Sequence, residues 1–447
     1  VTPEIQEQMI KMMLTEEDQL EDVTIEQWFS PAFFQSQLWY YWSSMLAFQP
    51  YHSLIEMRRY AVRFMHQLHL IRSLRGILRT KYDQYNSLIR PLQKYLADHG
   101  VNFVSGATVM DMDIRIEGND KTVTALQIGE GSDERIVPVA EKDLVFFTNG
   151  SMTQNSTQGS MTEAPIMNRD TANRGCFSLW EKLAAKCPEY GHPEKFAFDP
   201  DKSNFVSCSV TVHDYPQFFD YLAEKTGNPT GKGGCSTFVD APWFINYNVP
   251  LQPVAPDQPE NVQFMWFYGL HANNCGLEDK IDEIMPHITA IPVVMPYITS
   301  QFMPRKLKDR PEVIPNGNKN LAFIGQFVEL EGDVVFTVKT SVRTAMIAVY
   351  RLLHLDRPIT PLFQGQYDIR MVNVALKTLL GKDKIEVSDL PKVNPLKLPQ
   401  TMHEIVEAIN QIPPVPEYYS ERKEKPVNLV KKLRTPSYQA DCFLAGR

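Results

Sequence analysis

The sequence lacks most of the short patterns that mark a metal or nucleophile site. It contains no HExxH motif and no GxSxG turn, and its six cysteines stand apart without a CxxC pair. Scattered cysteines give no sign of a disulfide framework and are typical of reduced thiols inside a cell. His66 and His69 are three residues apart, but no third ligand accompanies them, so we predict no metal site.

Long apolar runs and an excess of positive charge are also missing. Because no run of about 18 apolar residues and no signal peptide occur, we predict no membrane-spanning segment and expect a cytoplasmic protein. A net charge of -8 gives no reason to expect nucleic acid as a partner. The C-terminal tail is an exception, since its basic residues indicate either peripheral contact with anionic lipid or, as the favoured interpretation, a solvated segment. These residues are Arg422, Lys423, Lys425, Lys431, Lys432 and Arg434.

Glycine-rich nucleotide-binding turns are absent as well. The stretch "TGNPTGKGG" is one residue short of a phosphate loop, and Gly233 stands where a Ser or Thr must meet magnesium, so we predict an ordinary turn. The stretch "GEGSDE" has Glu134 in place of the third glycine of a dinucleotide turn and lies between two predicted strands. The opening half of a dinucleotide site is therefore not visible.

The hydrophobic pattern predicts helices first and strands later. Apolar residues spaced three and four apart predict a mostly helical segment over 1–99. Within it, "WFSPAFFQSQLWYYWSSMLAF" is interpreted either as a buried helical core or as the wall of a lipid-lined cavity. After Gly100 the period changes to two, which predicts three successive strands in "VNFVSGATVMDMDIRI", "KTVTALQIG" and "RIVPVAEKDLVFFTNGS".

The stretch "EMRRYAVRF" contains a tyrosine that is able to donate a proton. Arg58, Arg59 and Arg63 surround Tyr60 on a short helical segment. On the residues alone, an amphipathic helix with solvated arginines and a half-buried tyrosine is the favoured interpretation.

The stretch "NLAFIGQFVELEGDVVFTVKTSVRTAMIAVYRL" has the form of one half of a cofactor site. An apolar strand runs into Gly325, an acidic loop follows, and a helix is predicted to begin near Thr337. A strand, a glycine and a helix N-terminus together hold the polar part of a nucleotide or flavin in many proteins.

Five motifs, in the same order, resemble those of the oleate hydratase family, also called myosin-cross-reactive antigens. They are "EMRRYAVRF", "TKYDQYNSLIRPL", "DLVFFTNGS", "MPYITSQFMPR" and "NLAFIGQFVELEGDVVFTVKTSVRTAMIAVYRLL". The resemblance implies an FAD-dependent hydro-lyase that adds water to the double bond of an unsaturated fatty acid, giving a hydroxy fatty acid. It also implies a mixed α/β fold with a Rossmann-like flavin-binding body. We further expect a homodimer.

The resemblance assigns roles to particular residues. It implies that Tyr60 protonates the alkene and that Asp83 and Asn248 lie beside the substrate. It implies FAD contacts at Thr148, Asn149, Gly150, Ser151, Gly325, Asp333, Thr337 and Ser341. The predicted units are a helical substrate-side segment (1–99), a strand-rich part of the FAD domain (100–159), a substrate domain (160–300), a closing part of the FAD domain (301–360) and a helical C-terminal region (361–447).

The chain departs from the family pattern at two places. Family members begin with a strand, a Gly-rich turn and a loop bearing a catalytic Glu, and we expect this chain to lack that segment. Counting on from Trp243, the residues for the substrate carboxylate are Asn248, Pro250 and Val254, and the last two side chains cannot donate hydrogen bonds. The alternatives to a hydratase are therefore a double-bond isomerase or oxidoreductase of the same fold, and a lipid-binding fragment without flavin.

Overall fold

The computed structural model describes residues 1–70, 79–170, 172–231, 234–239, 244–269, 287–386, 406–407 and 410–411, and these combine helices and sheets as predicted. The helices are α1 (Pro3–Leu14), α2 (Ile25–Trp28), α3 (Gln37–Leu46), α4 (Leu54–Arg63), α5 (Arg90–Asp98), α6 (Cys176–Lys186), α7 (Pro200–Ser203), α8 (Gln217–Thr226), α9 (Val338–Leu352) and α10 (Ile369–Leu380). The strands are β1 (Ala107–Glu117), β2 (Asp120–Glu130), β3 (Asp133–Pro138), β4 (Val145–Thr148), β5 (Thr157–Gln158), β6 (Phe205–His213), β7 (Ser236–Phe238), β8 (Ile245–Asn248), β9 (Val262–Gly269), β10 (Ile288–Met295) and β11 (Leu321–Ile324). None of the described helices is both long and apolar enough to cross a membrane.

The first four helices pack around one apolar core. Thr2 caps α1 by accepting a hydrogen bond from the Ile5 amide, and Pro3 occupies the first turn, where its missing N–H costs nothing. The aromatic helix α3 contributes Trp39 and Trp42 to this core, and α4 contributes Tyr60. The prediction of a buried helical core in this region is confirmed.

The strands predicted after Gly100 form two different sheets. β1, β2 and β3 make an antiparallel meander, in which Glu117 pairs with Asp120 across a tight turn. The third predicted strand is wrong as a single element, because the chain turns at Ala140–Asp143 after β3 and then enters β4. The Val139 amide still donates to the Thr124 carbonyl of β2 at 2.8 Å. The Ala140 amide then donates to Asp143 Oδ2 at 2.8 Å, which closes the turn.

The parallel pair of β4 and β11 brings two distant parts of the sequence together. Thr148 is opposite Ile324 at the carboxyl end of both strands. The loop that begins at Asn149 and the loop that begins at Gly325 therefore leave the sheet at the same edge. Helix α9 follows β11 and packs against it.

The largest of the described sheets has six antiparallel strands. Its strand order is β5-β10-β6-β9-β8-β7. Helix α8 lies on this sheet, where Phe219 packs with Val210 and Met265. Helix α10 returns to the first four helices, where its Leu379 joins their core.

Candidate active site

A large cavity opens beside α4. Its volume is about 1610 Å³, and its walls come from α1, α3, α4, the turn that follows α4, and α10. Most lining side chains are apolar, and they include Met9, Met13, Leu38, Trp42, Met65 and Leu376. Leu38 and Trp42 belong both to the core and to this wall, while a lipid as the occupant of the cavity stays a prediction.

Tyr60 is a fixed, buried part of the cavity wall. It is 1% exposed, and its ring meets Phe48 and Phe302 edge to face with centroids 5.5 and 5.7 Å away. Its hydroxyl donates a hydrogen bond to the Val335 carbonyl oxygen. Burial, with the charge of Glu56 as a second cause, raises the pKa of Tyr60 well above its ordinary value. The interpretation of a half-buried tyrosine is therefore wrong.

Two of the three arginines around Tyr60, Arg58 and Arg59, form ion pairs rather than being solvated. Arg59 is 3% exposed, and its Nη2 lies 2.6 Å from carboxylate oxygens of both Glu17 and Glu329. Arg58 pairs with Glu17 at 3.2 Å. Burial alone would raise the pKa of Glu329, but the charges of Arg305 and Arg59 lower it to about 2.

The two strand ends form a narrow polar edge. Asn149 is fully buried, and its Nδ2 donates to the Phe327 carbonyl at 3.0 Å, while its Oδ1 has no hydrogen-bond partner in the described part of the chain. Thr148 is the last residue of β4, and a Cβ on Gly325 would lie 3.2 Å from its Cγ2. With a φ of 104°, Gly325 has a backbone conformation that side chains disfavour.

The predicted cofactor residues after Gly325 hold the start of α9. Asp333 is buried; its Oδ1 accepts from the Val334 amide at 2.8 Å and pairs with Lys339, while its Oδ2 is without a hydrogen bond among the described residues. Thr337 caps α9. Ser341 Oγ accepts from Gln326 Nε2 at 2.9 Å.

Asp83 and Asn248 do not line the cavity that contains Tyr60. The Asp83 amide donates to the Val254 carbonyl at 2.8 Å, and its carboxylate accepts from the amide and side chain of Asn86. Burial opposes them, but these hydrogen bonds lower the pKa of Asp83. Asn248 lies in β8, opposite Trp266 of β9. Asp83 is thus next to the Val254 loop, and its predicted place beside the substrate, like that of Asn248, stays a prediction.

Comparison with known proteins decides the family. The model of the MCRA family matches residues 1–277 and 275–350. The chain is 36% identical to the oleate hydratase of Streptococcus pyogenes serotype M49 (strain NZ131) over 86% of its own length and 70% of that protein. It is 30% identical to the linoleate hydratase of Lactiplantibacillus plantarum over 76% of its own length and 68% of that protein. The chain belongs to the MCRA family. The resemblance to oleate hydratases is confirmed.

In this MCRA protein, two of the motifs on which the resemblance rests are in contact, namely "EMRRYAVRF" and the segment that begins "NLAFIGQF". The loop over 329–335 supplies the acceptor for Tyr60 and a carboxylate for Arg59, and it also contains Asp333. Thr148, Asn149, Gly150 and Ser151 lie at the neighbouring strand end, next to Gly325.

Sequence reasoning missed the buried ionic cluster around Glu56 of α4. Glu56, Arg305 and Arg310 are nearly inaccessible to solvent, and both arginines contact Glu56, at 2.8 and 3.0 Å. The spacing of Glu56 and Arg59, one helical turn apart within an otherwise apolar face, is the signal that could have indicated a buried ionic network.

Proposed function

We propose that this protein is a hydro-lyase that adds water to the double bond of an unsaturated fatty acid. The observation that carries the proposal is the buried Tyr60 in the wall of a mostly apolar cavity. The cavity volume of about 1610 Å³ exceeds the roughly 300–1,000 Å³ of typical ligand pockets, so a long acyl chain has room. The names of the two hydratase relatives support the same reaction class.

In this proposal, Tyr60 is the general acid. At neutral pH the hydroxyl carries its proton, as in any tyrosine, and burial keeps it protonated by raising its pKa further. Transfer of that proton to one alkene carbon leaves a positive charge on the other carbon, which the oxygen of water attacks. The proton that this water then loses replaces the one that Tyr60 gave up, so the net change is the addition of one water. The hydrogen bond to Val335 and the packing against Phe48 and Phe302 hold the hydroxyl in one place, which suits transfer to a fixed position in a chain.

We further propose that the edge formed by the ends of β4 and β11 holds part of an FAD molecule within a Rossmann-like body. Asn149 Oδ1 and Asp333 Oδ2 are buried oxygens without hydrogen-bond partners among the described residues, and such atoms fit the donors of a polar ligand. Gly150, Ser151, Thr337 and Ser341 are the neighbouring candidates for contacts. Bound flavin would shape the site electrostatically, because hydration needs no net redox change.

The expected homodimer and peripheral membrane contact stay predictions. Leu88, Ile89 and Leu92 are exposed apolar side chains on the helical segment that ends in α5, and they offer a surface that a partner would cover. Three of the features discussed from the sequence lie outside the described residues. They are the basic tail from Arg422 onward, residues 232–233 of "TGNPTGKGG", and Trp243.

Replacing Tyr60 with Phe tests the proposed reaction. Tyr60→Phe keeps the ring and removes the proton, so we expect hydroxy fatty acid formation to fall about 100- to 10,000-fold. Gas chromatography with mass spectrometry measures the product of full-length protein supplied with FAD and oleate. Tyr221→Phe, at an exposed tyrosine of α8, is the matched control and should keep full activity.

Two other outcomes of this assay would change the conclusion. Unchanged product formation by Tyr60→Phe would remove Tyr60 from the mechanism. A product of the same mass as the substrate would identify a double-bond isomerase. The departures at Pro250 and Val254 favour that alternative, since the Val254 amide is already bonded to Gln258 Oε1 at 2.7 Å and offers no free donor for a carboxylate.

A further inference from the structure

Four charged side chains form a closed ring around one turn of α4. Arg59 Nη2 lies 2.6 Å from Glu329 Oε1, and Glu329 Oε2 lies 2.9 Å from Arg305 Nη1. Arg305 Nε in turn lies 2.8 Å from Glu56 Oε1. Since Glu56 and Arg59 are both in α4, the helix backbone closes the ring. We call these four residues the charged ring.

The charged ring is almost fully withdrawn from water. The side chains of Arg305 and Glu56 are 0% exposed, that of Arg59 is 2% exposed, and that of Glu329 is 17% exposed. Burial of charges is costly, and apolar side chains of similar volume often stabilise a fold equally well or better. The charged residues are therefore better explained by the positions in which they hold α4 and the neighbouring loop than by a gain in the free energy of unfolding.

The ring joins the two elements that determine where the Tyr60 hydroxyl lies. Tyr60 is next to Arg59 in α4, and its hydrogen-bond acceptor, the Val335 carbonyl, ends the loop that begins at Glu329. Arg59 Nη1 also donates to the Leu330 carbonyl at 3.3 Å, so side chain and backbone of this loop are both tied to α4. A shift of the loop against α4 would move the acceptor away from the hydroxyl.

We propose that Arg59, Glu329 and Arg305 are positioning residues that hold the loop over 329–335 against α4 and thereby place the Tyr60 hydroxyl. They act through Tyr60 and need not touch the substrate. The catalytic part of this inference rests on the proposed hydration, whereas the placement of the hydroxyl does not.

Two conservative variants separate positioning from a general structural role. Glu329→Gln keeps the shape of the side chain and removes its charge, while Arg59 retains Glu17 as a partner. Arg59→Lys keeps the charge but loses the planar fork that reaches Glu17 and Glu329 together. Arg169→Lys, in the exposed pair with Asp201, is the matched control.

The direct readout is a fluorine NMR spectrum of full-length protein with 3-fluorotyrosine at position 60 only. We expect one resonance in the parent protein and in Arg169→Lys, and a shifted or split resonance in Glu329→Gln and Arg59→Lys. In the hydration assay, kcat of these two variants should fall about 10- to 100-fold with KM unchanged, because small displacements of a reacting group cost that much.

The same measurements can overturn the proposal. An unaltered Tyr60 resonance in both folded variants would contradict it, and loss of the fold in both would assign the ring to stability instead. If the parent protein forms no hydroxy fatty acid while the resonance still shifts in the variants, the proposed reaction fails and the placement of Tyr60 stands.

Discussion

At the scale of single residues, burial decides what each charged or polar side chain can do. Tyr60, the proposed proton donor, is a buried neutral phenol, and Arg59 is a buried, ion-paired cation rather than a solvated one. The motif "EMRRYAVRF" was enough to single out Tyr60 by resemblance. Burial of its neighbours was not predictable, because the partners Glu329 and Arg305 come from sequence positions far from α4.

Glu329 gives a prediction about stability and pH. Its pKa falls from the ordinary 4.5 to about 2 in the folded protein, so its ion pairs stabilise the fold above about pH 4.5 and lose this effect as the pH falls towards 2. The gap in free energy of unfolding between the parent protein and Glu329→Gln should therefore narrow over that range. Urea unfolding at several pH values measures the gap.

The exposed Glu312→Gln variant corrects for the loss of one negative charge from the chain. If the gap for Glu329→Gln stayed constant from pH 4.5 downward, the paired, ionised state of Glu329 would be wrong.

At the scale of elements, local pattern predicted most helices and strands but not how they pair. The helix expected near Thr337 begins at Val338, and the strands after Gly100 follow the alternating pattern. The division of the third strand into β3 and β4 escaped prediction, because the apolar stretches "IVPV" and "LVFF" together predict one strand across the short turn at Ala140–Asp143. The parallel pairing of β4 with β11 depends on contacts between distant segments, which periodicity does not encode.

Gly150 gives a prediction about the end of β4. A Cβ at this position would lie 2.3 Å from the Phe327 ring and 2.6 Å from the Phe177 ring, both of which are fully buried. We expect Gly150→Ala to lower the free energy of unfolding by about 1–3 kcal/mol through overpacking. Chemical denaturation measures this loss.

Gly129→Ala in β2 is the matched control, because its nearest neighbour is the flexible Met110 side chain, with Sδ at 3.1 Å. Equal losses for the two variants would contradict the close packing proposed for Gly150.

At the scale of the whole molecule, one loop contacts the proposed acid and contains one of the proposed flavin residues. The segment over 329–335 touches Tyr60 through Val335 and Arg59 through Glu329, and it contains Asp333. The family resemblance covered these motifs, and the aromatic segment offered a cavity wall as one interpretation. The contribution of α10 to this wall was not predictable, because α10 lies far along the chain from α1, α3 and α4. The predicted division into five units stays a prediction.

Flavin binding gives a prediction for the intact chain. A ligand that binds only the folded state stabilises it, by about 2.7 kcal/mol at a concentration of 100 times Kd. We expect FAD to raise the thermal midpoint of the parent protein, and Asp333→Asn to reduce this rise, since Asp333 Oδ2 is a candidate contact. The exposed Asp133→Asn variant should behave like the parent. No rise with the parent protein would favour the lipid-binding alternative without flavin.

The most direct test of the proposed reaction follows the oxygen atom of water. Full-length protein, FAD and oleate are incubated in water enriched in oxygen-18, and the product is analysed by mass spectrometry. We predict a hydroxy fatty acid that carries the label in its new hydroxyl group and that is absent from the Tyr60→Phe reaction. Recovery of unlabelled product, or of an isomer with no added mass, would contradict the assignment as a hydratase.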